Sequence, residues 1–72
     1  MTVEEKMELL ADVFDLETED FDANTVLADM EEWDSLSKLG LIAETKKQLN
    51  KRLTPEEVKE FKTIQDILEY LG

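Results

Sequence analysis

Apolar residues recur at three- and four-residue spacing along most of the chain, which is the period of an amphipathic helix. In the first segment they are Val3, Met7, Leu10 and Phe14. Thr2 and Glu5, three positions apart, have the pattern of a capping box that satisfies free N–H groups at a helix start. The spacing predicts a first helix over residues 3–16 with one buried stripe.

A second helical pattern covers residues 35–49. We expect its core side to hold chiefly Leu36, Leu39 and Ile42, with Leu36 partly exposed and able to contact partners. Gly40 lies inside the pattern, where it costs about 1 kcal/mol, and we consider it a position that could allow close helix packing. Asn50 is suited to end the helix.

Two further helices follow. Thr54-Pro55-Glu56-Glu57 combines a capping threonine with proline at the first helical position, and predicts a short third helix over residues 55–60. Thr63, with Asp66 three positions later, predicts the start of the last helix. The apolar residues expected to face inward in these two helices are Val58, Phe61, Ile64, Ile67, Leu68 and Leu71.

The acid-rich segment 17–34 lies between the first two helices. A connection of this length inside a compact domain is uncommon unless it is functional or held in place. We expect Phe21 and Leu27 to dock into the core, and a short helical turn near residues 25–30. The fold class is therefore all-α, a small four-helix bundle of three longer helices and one short one, in a single domain over 1–72.

The chain has 72 residues and a formal net charge of −11, with no histidine and no cysteine. Residues 1–34 contain 13 acidic residues and one basic residue, whereas residues 35–72 contain 6 acidic and 7 basic ones. Phosphates would repel such a chain, so we do not expect nucleic acid as a partner. Without a signal peptide or an apolar run of about 18 residues, we expect a cytoplasmic protein with no membrane span. We also expect it to be a monomer.

The segment Asp34-Ser35-Leu36 holds the main candidate for chemistry. Without histidine or cysteine, Ser35 has no usual general base and no neighbouring thiol, so it is better suited to modification by another enzyme than to catalysis. At the first turn of a helix, a phosphodiester on Ser35 would meet free N–H groups and the positive end of the dipole. Asp34 could cap the helix or hold magnesium. Asp-Ser is also a common helix start, so the residues alone leave Ser35 open as a simple cap.

With this helix order, length and acidity, the Asp-Ser-Leu motif resembles the acyl carrier proteins over nearly the whole chain. The resemblance implies a non-catalytic carrier whose Ser35 receives phosphopantetheine from coenzyme A. Acyl or aminoacyl intermediates would be held as thioesters on that arm. The implied partners are a phosphopantetheinyl transferase and acyl-loading and acyl-processing enzymes. The residues implied in partner recognition are Glu31, Glu32, Trp33, Asp34, Leu36 and Lys38, although Trp33 is better suited to packing.

This sequence departs from the fatty-acid-synthesis carriers that it resembles. Ser37 stands where those carriers usually have an acidic residue, and the second helix carries Lys38, Lys46 and Lys47 against Glu44 alone. Trp33 occupies a position that is often small in them. The Trp-Asp-Ser-Leu run is similar to carriers of specialised pathways, such as polyketide or nonribosomal peptide synthesis. A carrier in fatty acid synthesis is the alternative.

Two functions other than that of a carrier are compatible with parts of the sequence. Five residues fall at positions 1, 3, 5, 7 and 12 of a calcium loop, but Thr25 stands at the sixth position, where the turn requires glycine. These residues are Asp20, Asp22, Asn24, Val26 and Glu31. The acidity also suggests an interaction module or nucleic-acid mimic, yet the second half of the chain is net basic. Neither alternative explains Asp-Ser-Leu, so no metal site is predicted.

Overall fold

The computed structural model describes residues 2–72 and contains four α-helices. They are α1 (Val3–Phe14), α2 (Ser35–Leu49), α3 (Pro55–Glu60) and α4 (Ile64–Leu71). Two 3₁₀ turns, Thr18–Asp20 and Leu27–Asp29, lie in the long connection between α1 and α2. The expected all-α bundle is confirmed. In the part of the chain described, no helix is long and apolar enough to cross a membrane.

The helix starts follow from local side-chain chemistry. Capping boxes form at α1, α3 and α4, where a threonine accepts a backbone N–H and the acidic residue three positions later returns the bond. The helix ends are equally local. Asp15 takes the left-handed conformation, so α1 ends at Phe14, two residues before the predicted end at residue 16. Asn50 ends α2 in the same conformation, as predicted.

The core is built mainly from α1, α4 and the long connection. Leu10, Ile64 and Ile67 have no exposed surface, and Leu9 and Leu68 are also buried. Lys6 is buried among them on α1, where its Nζ lies 3.4 Å from the carbonyl oxygen of Leu68. Two expected core positions differ. Val3, the first residue of α1, is exposed, and Phe61, which follows the last residue of α3, is only half-buried.

Helix α2 packs with a different side than the spacing predicted. Its fully buried residues are Leu41 and Thr45, one turn apart, and the Thr45 hydroxyl donates to the Leu41 carbonyl at 2.7 Å. Ile42 is half-buried, whereas Leu36 and Leu39 are 78% and 63% exposed. The expectation that Leu36 and Leu39 are chiefly core was therefore wrong. Apolar residues stand on several sides of α2, so more than one stripe could be drawn on it.

Gly40 faces α1 across the interface between α1 and α2. A Cβ built on Gly40 would lie 3.8 Å from Val13 Cγ1, which is an ordinary van der Waals distance. Close helix packing does not require glycine there.

The long connection is held to the bundle both by side chains and by its backbone. Phe21 and Leu27 are buried, and a 3₁₀ turn begins at Leu27, as predicted. The connection also forms backbone hydrogen bonds with the start of α4: Leu27 N–H to the Lys62 carbonyl at 2.9 Å, and Gln65 N–H to the Ala23 carbonyl at 2.9 Å. These bonds fix the path of the chain toward Ser35.

Candidate functional site

The start of α2 is fixed by the residue that precedes it. Asp34 has extended backbone geometry, and its carboxylate accepts the Ser37 N–H at 2.9 Å. This hydrogen bond lowers the pKa of the Asp34 carboxyl below its ordinary value. Asp34 is therefore the N-cap, which was one of the two roles considered for it.

Ser35 is the first residue of α2 and is exposed. Because Asp34 supplies the cap, the Ser35 hydroxyl is not needed for that purpose. The hydroxyl stands at the helix end where free N–H groups and the helix dipole favour a negative charge. An exposed nucleophile beside an anion-favouring helix end is suited to carry a phosphodiester.

Trp33 joins this turn to the core. Its ring lies 6.0 Å from the Phe14 ring at an interplanar angle of 72°, and Phe14 also packs edge-on against Phe21. The Lys38 ammonium lies over the Trp33 ring, 5.4 Å from its centre, which is within the range of a cation–π interaction. The structure thus places Trp33 as a packing residue that holds the chain next to Ser35.

An open groove with a volume of about 310 Å³ begins at Ser35 and lies between α2 and α3. Its apolar lining comes from Leu39, Ile42 and Val58, and its charged lining from Lys38 and Lys59. Pro55 and Lys59, which belong to α3, were not predicted as site residues from the sequence. Their only sequence signal is the predicted helix start, because the approach of α3 to α2 depends on tertiary packing.

The other residues predicted to contact partners lie shortly before and after Ser35 in the chain. Leu36 and Leu39 present apolar side chains to solvent, and Glu31 is exposed on the approach to α2. Glu32 and Lys38 are half-buried. The surface beside Ser35 therefore combines apolar, acidic and basic groups.

Two of the proposed calcium ligands form hydrogen bonds within the long connection. Asp22 accepts the Asn24 N–H at 2.8 Å and Asp20 accepts the Glu17 N–H at 3.0 Å, so both carboxylates bond to nearby backbone. Within residues 2–72, no group of three or more acidic, histidine or cysteine side chains is arranged to hold a metal ion. The calcium-loop alternative finds no support in this arrangement.

Residues 7–71 match the family model described as "Phosphopantetheine attachment site". The chain belongs to the phosphopantetheine attachment family. The match spans all of α2 to α4 and most of α1. The search of individual curated proteins finds no match.

Proteins of the phosphopantetheine attachment family carry phosphopantetheine as a covalent prosthetic group, and such carrier domains are generally non-catalytic. The residues at the start of α2 fit this group chemically. Ser35 offers an exposed hydroxyl for a phosphodiester, the helix end and Lys38 favour the phosphate, and the groove at Ser35 can accommodate an extended chain. The observations of this structure are thus consistent with the chemistry of the family.

Proposed function

We propose that this protein is a carrier that holds acyl or aminoacyl intermediates as thioesters on a phosphopantetheine arm attached to Ser35. The observation that carries the proposal is the exposed Ser35 hydroxyl at the first position of α2, left free because Asp34 caps the helix. The arm supplies the thiol that a chain without cysteine lacks.

The attachment step assigns a limited role to this chain. The Ser35 oxygen forms a bond to the phosphorus of the pantetheine phosphate of coenzyme A, and adenosine 3′,5′-bisphosphate leaves. The proton of Ser35 passes to a base of the transferase, since this chain has no histidine or cysteine to accept it. The chain itself holds the serine in place and favours the new negative charge through the end of α2.

We further propose that the carrier works in a specialised pathway, such as polyketide or nonribosomal peptide synthesis. The supporting feature is a change of charge along the expected recognition surface. Glu31, Glu32 and Asp34 lie before Ser35, whereas Lys38, Lys46 and Lys47 follow on α2. A partner built for a uniformly acidic helix would meet like charges at the lysines and lose association rate and affinity. Work in fatty acid synthesis is the alternative.

The loading reaction tests the carrier function. Wild-type protein, coenzyme A, magnesium and a promiscuous phosphopantetheinyl transferase should give one mass increment of a single phosphopantetheine. Ser35→Ala should gain none while keeping its helical circular dichroism. Ser37→Ala is the matched control and should be loaded, because only the backbone N–H of Ser37 takes part in the cap. Loading of Ser35→Ala, or failure of the wild type with several transferases, would contradict the carrier proposal.

The activity of fatty-acid elongation enzymes on this carrier tests the pathway proposal. The loaded wild type should be a poor substrate for standard fatty-acid elongation enzymes compared with their own carrier. Replacing Lys46 and Lys47 with glutamate should improve that activity, because it removes the like charges. Elongation of the wild type as efficient as that of the enzymes' own carrier would favour the fatty-acid alternative.

A further inference from the structure

The groove at Ser35 does not end beside the serine. A second open groove, lined by Ile42, Lys46, Arg52 and Leu53, follows it along α2, and the two share Ile42. We refer to the two together as the α2–α3 groove. Ser35, Leu39, Ile42 and Lys46 recur every three or four residues and therefore lie along one side of α2. The groove thus runs from the serine toward the far end of the helix.

The α2–α3 groove differs in charge from the rest of the protein. Four cationic residues line it, Lys38 and Lys59 near Ser35 and Lys46 and Arg52 farther away, and no acidic residue is among its described lining residues. The whole chain contains only 8 basic residues against 19 acidic ones. Half of all its cations therefore border one groove whose lining otherwise includes Leu39, Ile42, Leu53 and Val58.

The far end of the groove lies at a distance that suits a tethered cargo. Ser35 and Lys46 are eleven positions apart on α2, which corresponds to about 16 Å along the helix axis. An extended phosphopantetheine arm can cover that distance. A group tethered in this way has an effective concentration in the millimolar range, so a site with a dissociation constant of about a millimolar or lower would be at least half occupied.

We propose that Lys46 and Arg52 bind an anionic group of the cargo. The cargo class is then a short acyl chain that ends in a carboxylate, such as the half-thioester of a dicarboxylic acid. This inference rests on the proposed function, because it requires the arm on Ser35. The apolar lining at Ile42 and Leu53 would contact the methylene groups of the chain. The planar Arg52 guanidinium suits a carboxylate, which it can bind through two parallel hydrogen bonds.

The local contacts leave these cations able to take this role. Lys46 Nζ donates to the side-chain oxygen of Asn50 at 3.0 Å, a neutral partner that does not cancel the charge. The Arg52 backbone carbonyl accepts the Tyr70 hydroxyl at 3.2 Å, which fixes the chain beside the groove without using the guanidinium. Both residues are exposed, so the interaction should weaken as salt increases.

The experiment compares two acyl groups of equal length on the same protein. A promiscuous transferase loads the wild type from succinyl-coenzyme A or butyryl-coenzyme A, whose four-carbon chains end in a carboxylate or a methyl group. Intact mass confirms each product. We expect the succinyl group to move the backbone amide NMR signals of Ile42, Lys46 and Leu53 at least twofold more than the butyryl group. It should also raise the thermal unfolding midpoint by about 3 °C at low salt, a difference lost in 1 M salt.

Charge-removing variants identify the groups responsible. Lys46→Gln and Arg52→Gln should each reduce the difference between succinyl and butyryl forms, and the double variant should abolish it. Arg52→Gln is the cleaner variant, because Lys46 also contacts Asn50 at the end of α2. Lys62→Gln is the matched control, since Lys62 is exposed and does not line the groove, and it should retain the full difference.

The outcomes separate the two proposals. If plain coenzyme A yields no mass increment on the wild type, the carrier function fails and this inference fails with it. If loading succeeds but the two acyl groups shift the same signals equally, the anionic-cargo inference alone is wrong. A succinyl effect that survives the double variant would also overturn it, since the carboxylate would then be bound elsewhere.

Discussion

Helices α2 and α4 contrast in how they use their apolar residues. Helix α4 has eight residues and buries four of them, Ile64, Ile67, Leu68 and Leu71. Helix α2 is almost twice as long, with 15 residues, yet buries only Leu41 and Thr45. Length therefore does not measure how much a helix contributes to this core.

The difference shows where apolar surface is available for function. In α4 the apolar residues Ile64, Ile67, Leu68 and Leu71 form one stripe that is buried in the core. In α2 they are spread over several sides, which leaves Leu36 and Leu39 exposed in the two turns that follow Ser35. The helix that contributes less to the core is thus the one that presents a nucleophile, exposed leucines and a groove to partners and cargo.

Truncation of one apolar residue in each helix should give the largest difference in unfolding free energy between α2 and α4. Ile67→Ala removes a fully buried side chain from α4 and should cost about 2–5 kcal/mol of unfolding free energy. Leu39→Ala should change it by about 0.5 kcal/mol or less, because Leu39 is mostly exposed. Urea denaturation followed by circular dichroism measures both. Equal losses would show that Leu39 packs in solution.

Replacement of the glycine within α2 tests whether this helix packs loosely against α1. Gly40→Ala should stabilise the protein by about 1 kcal/mol, because alanine has the higher helix propensity and its Cβ would meet Val13 at an ordinary distance. Urea denaturation should show a higher midpoint with an unchanged slope. A destabilised variant would mean that α1 and α2 approach more closely than this structure shows.

Carboxylates that accept backbone N–H groups at the starts of α2 and α4 should make the stability of the protein depend on pH. The Asp66 carboxylate accepts the N–H groups of Lys62 and Thr63 at 2.9 and 3.2 Å, whereas Asp34 accepts that of Ser37. These bonds lower the pKa of both carboxyls below 3.8, so their contribution to stability is complete above that value and disappears as the pH falls through the lowered values. Acid should therefore destabilise the protein below about pH 4.

Amide variants test this pH dependence. An asparagine oxygen still accepts an N–H but does not titrate, so Asp66→Asn should lose less thermal stability between pH 6 and pH 3 than the wild type. Asp34→Asn should reduce this loss of thermal stability by a smaller amount, because fewer hydrogen bonds depend on the charge of Asp34. Asp29→Asn is a control, as Asp29 is not the cap of any helix. A wild-type profile that stays level to pH 2 would contradict the role of these caps.

Local features of this fold were predictable from the sequence, and those that depend on distant contacts were not. The boxes at Thr2, Thr54 and Thr63 form as expected because each involves residues only three positions apart. The buried side of α2 was predicted wrongly, because its apolar pattern permits several stripes and the neighbours decide among them. Thr45 was missed for the same reason, since a threonine is buried only where its hydroxyl finds a partner.

The candidate site divides along the same line. The cap at Asp34 and the start of α2 at Ser35 could be predicted, because a capping residue there precedes a helical pattern of apolar residues. The groove beside Ser35 could not be predicted, because it requires α3 and Arg52 to come next to α2 across a loop. The backbone bonds that join the long connection to α4 were also missed, since no residue pattern distinguishes them.

Localisation of the modification on the wild-type chain tests the central claim most directly. Ser35 and Ser37 are the only serines, two positions apart, and only Ser35 stands free of the cap at the start of α2. After loading with coenzyme A and a transferase, proteolysis and fragmentation by tandem mass spectrometry assign the added mass to one residue. We predict that all of it lies on Ser35. Mass on Ser37 or on a threonine, or none at all, would contradict the account.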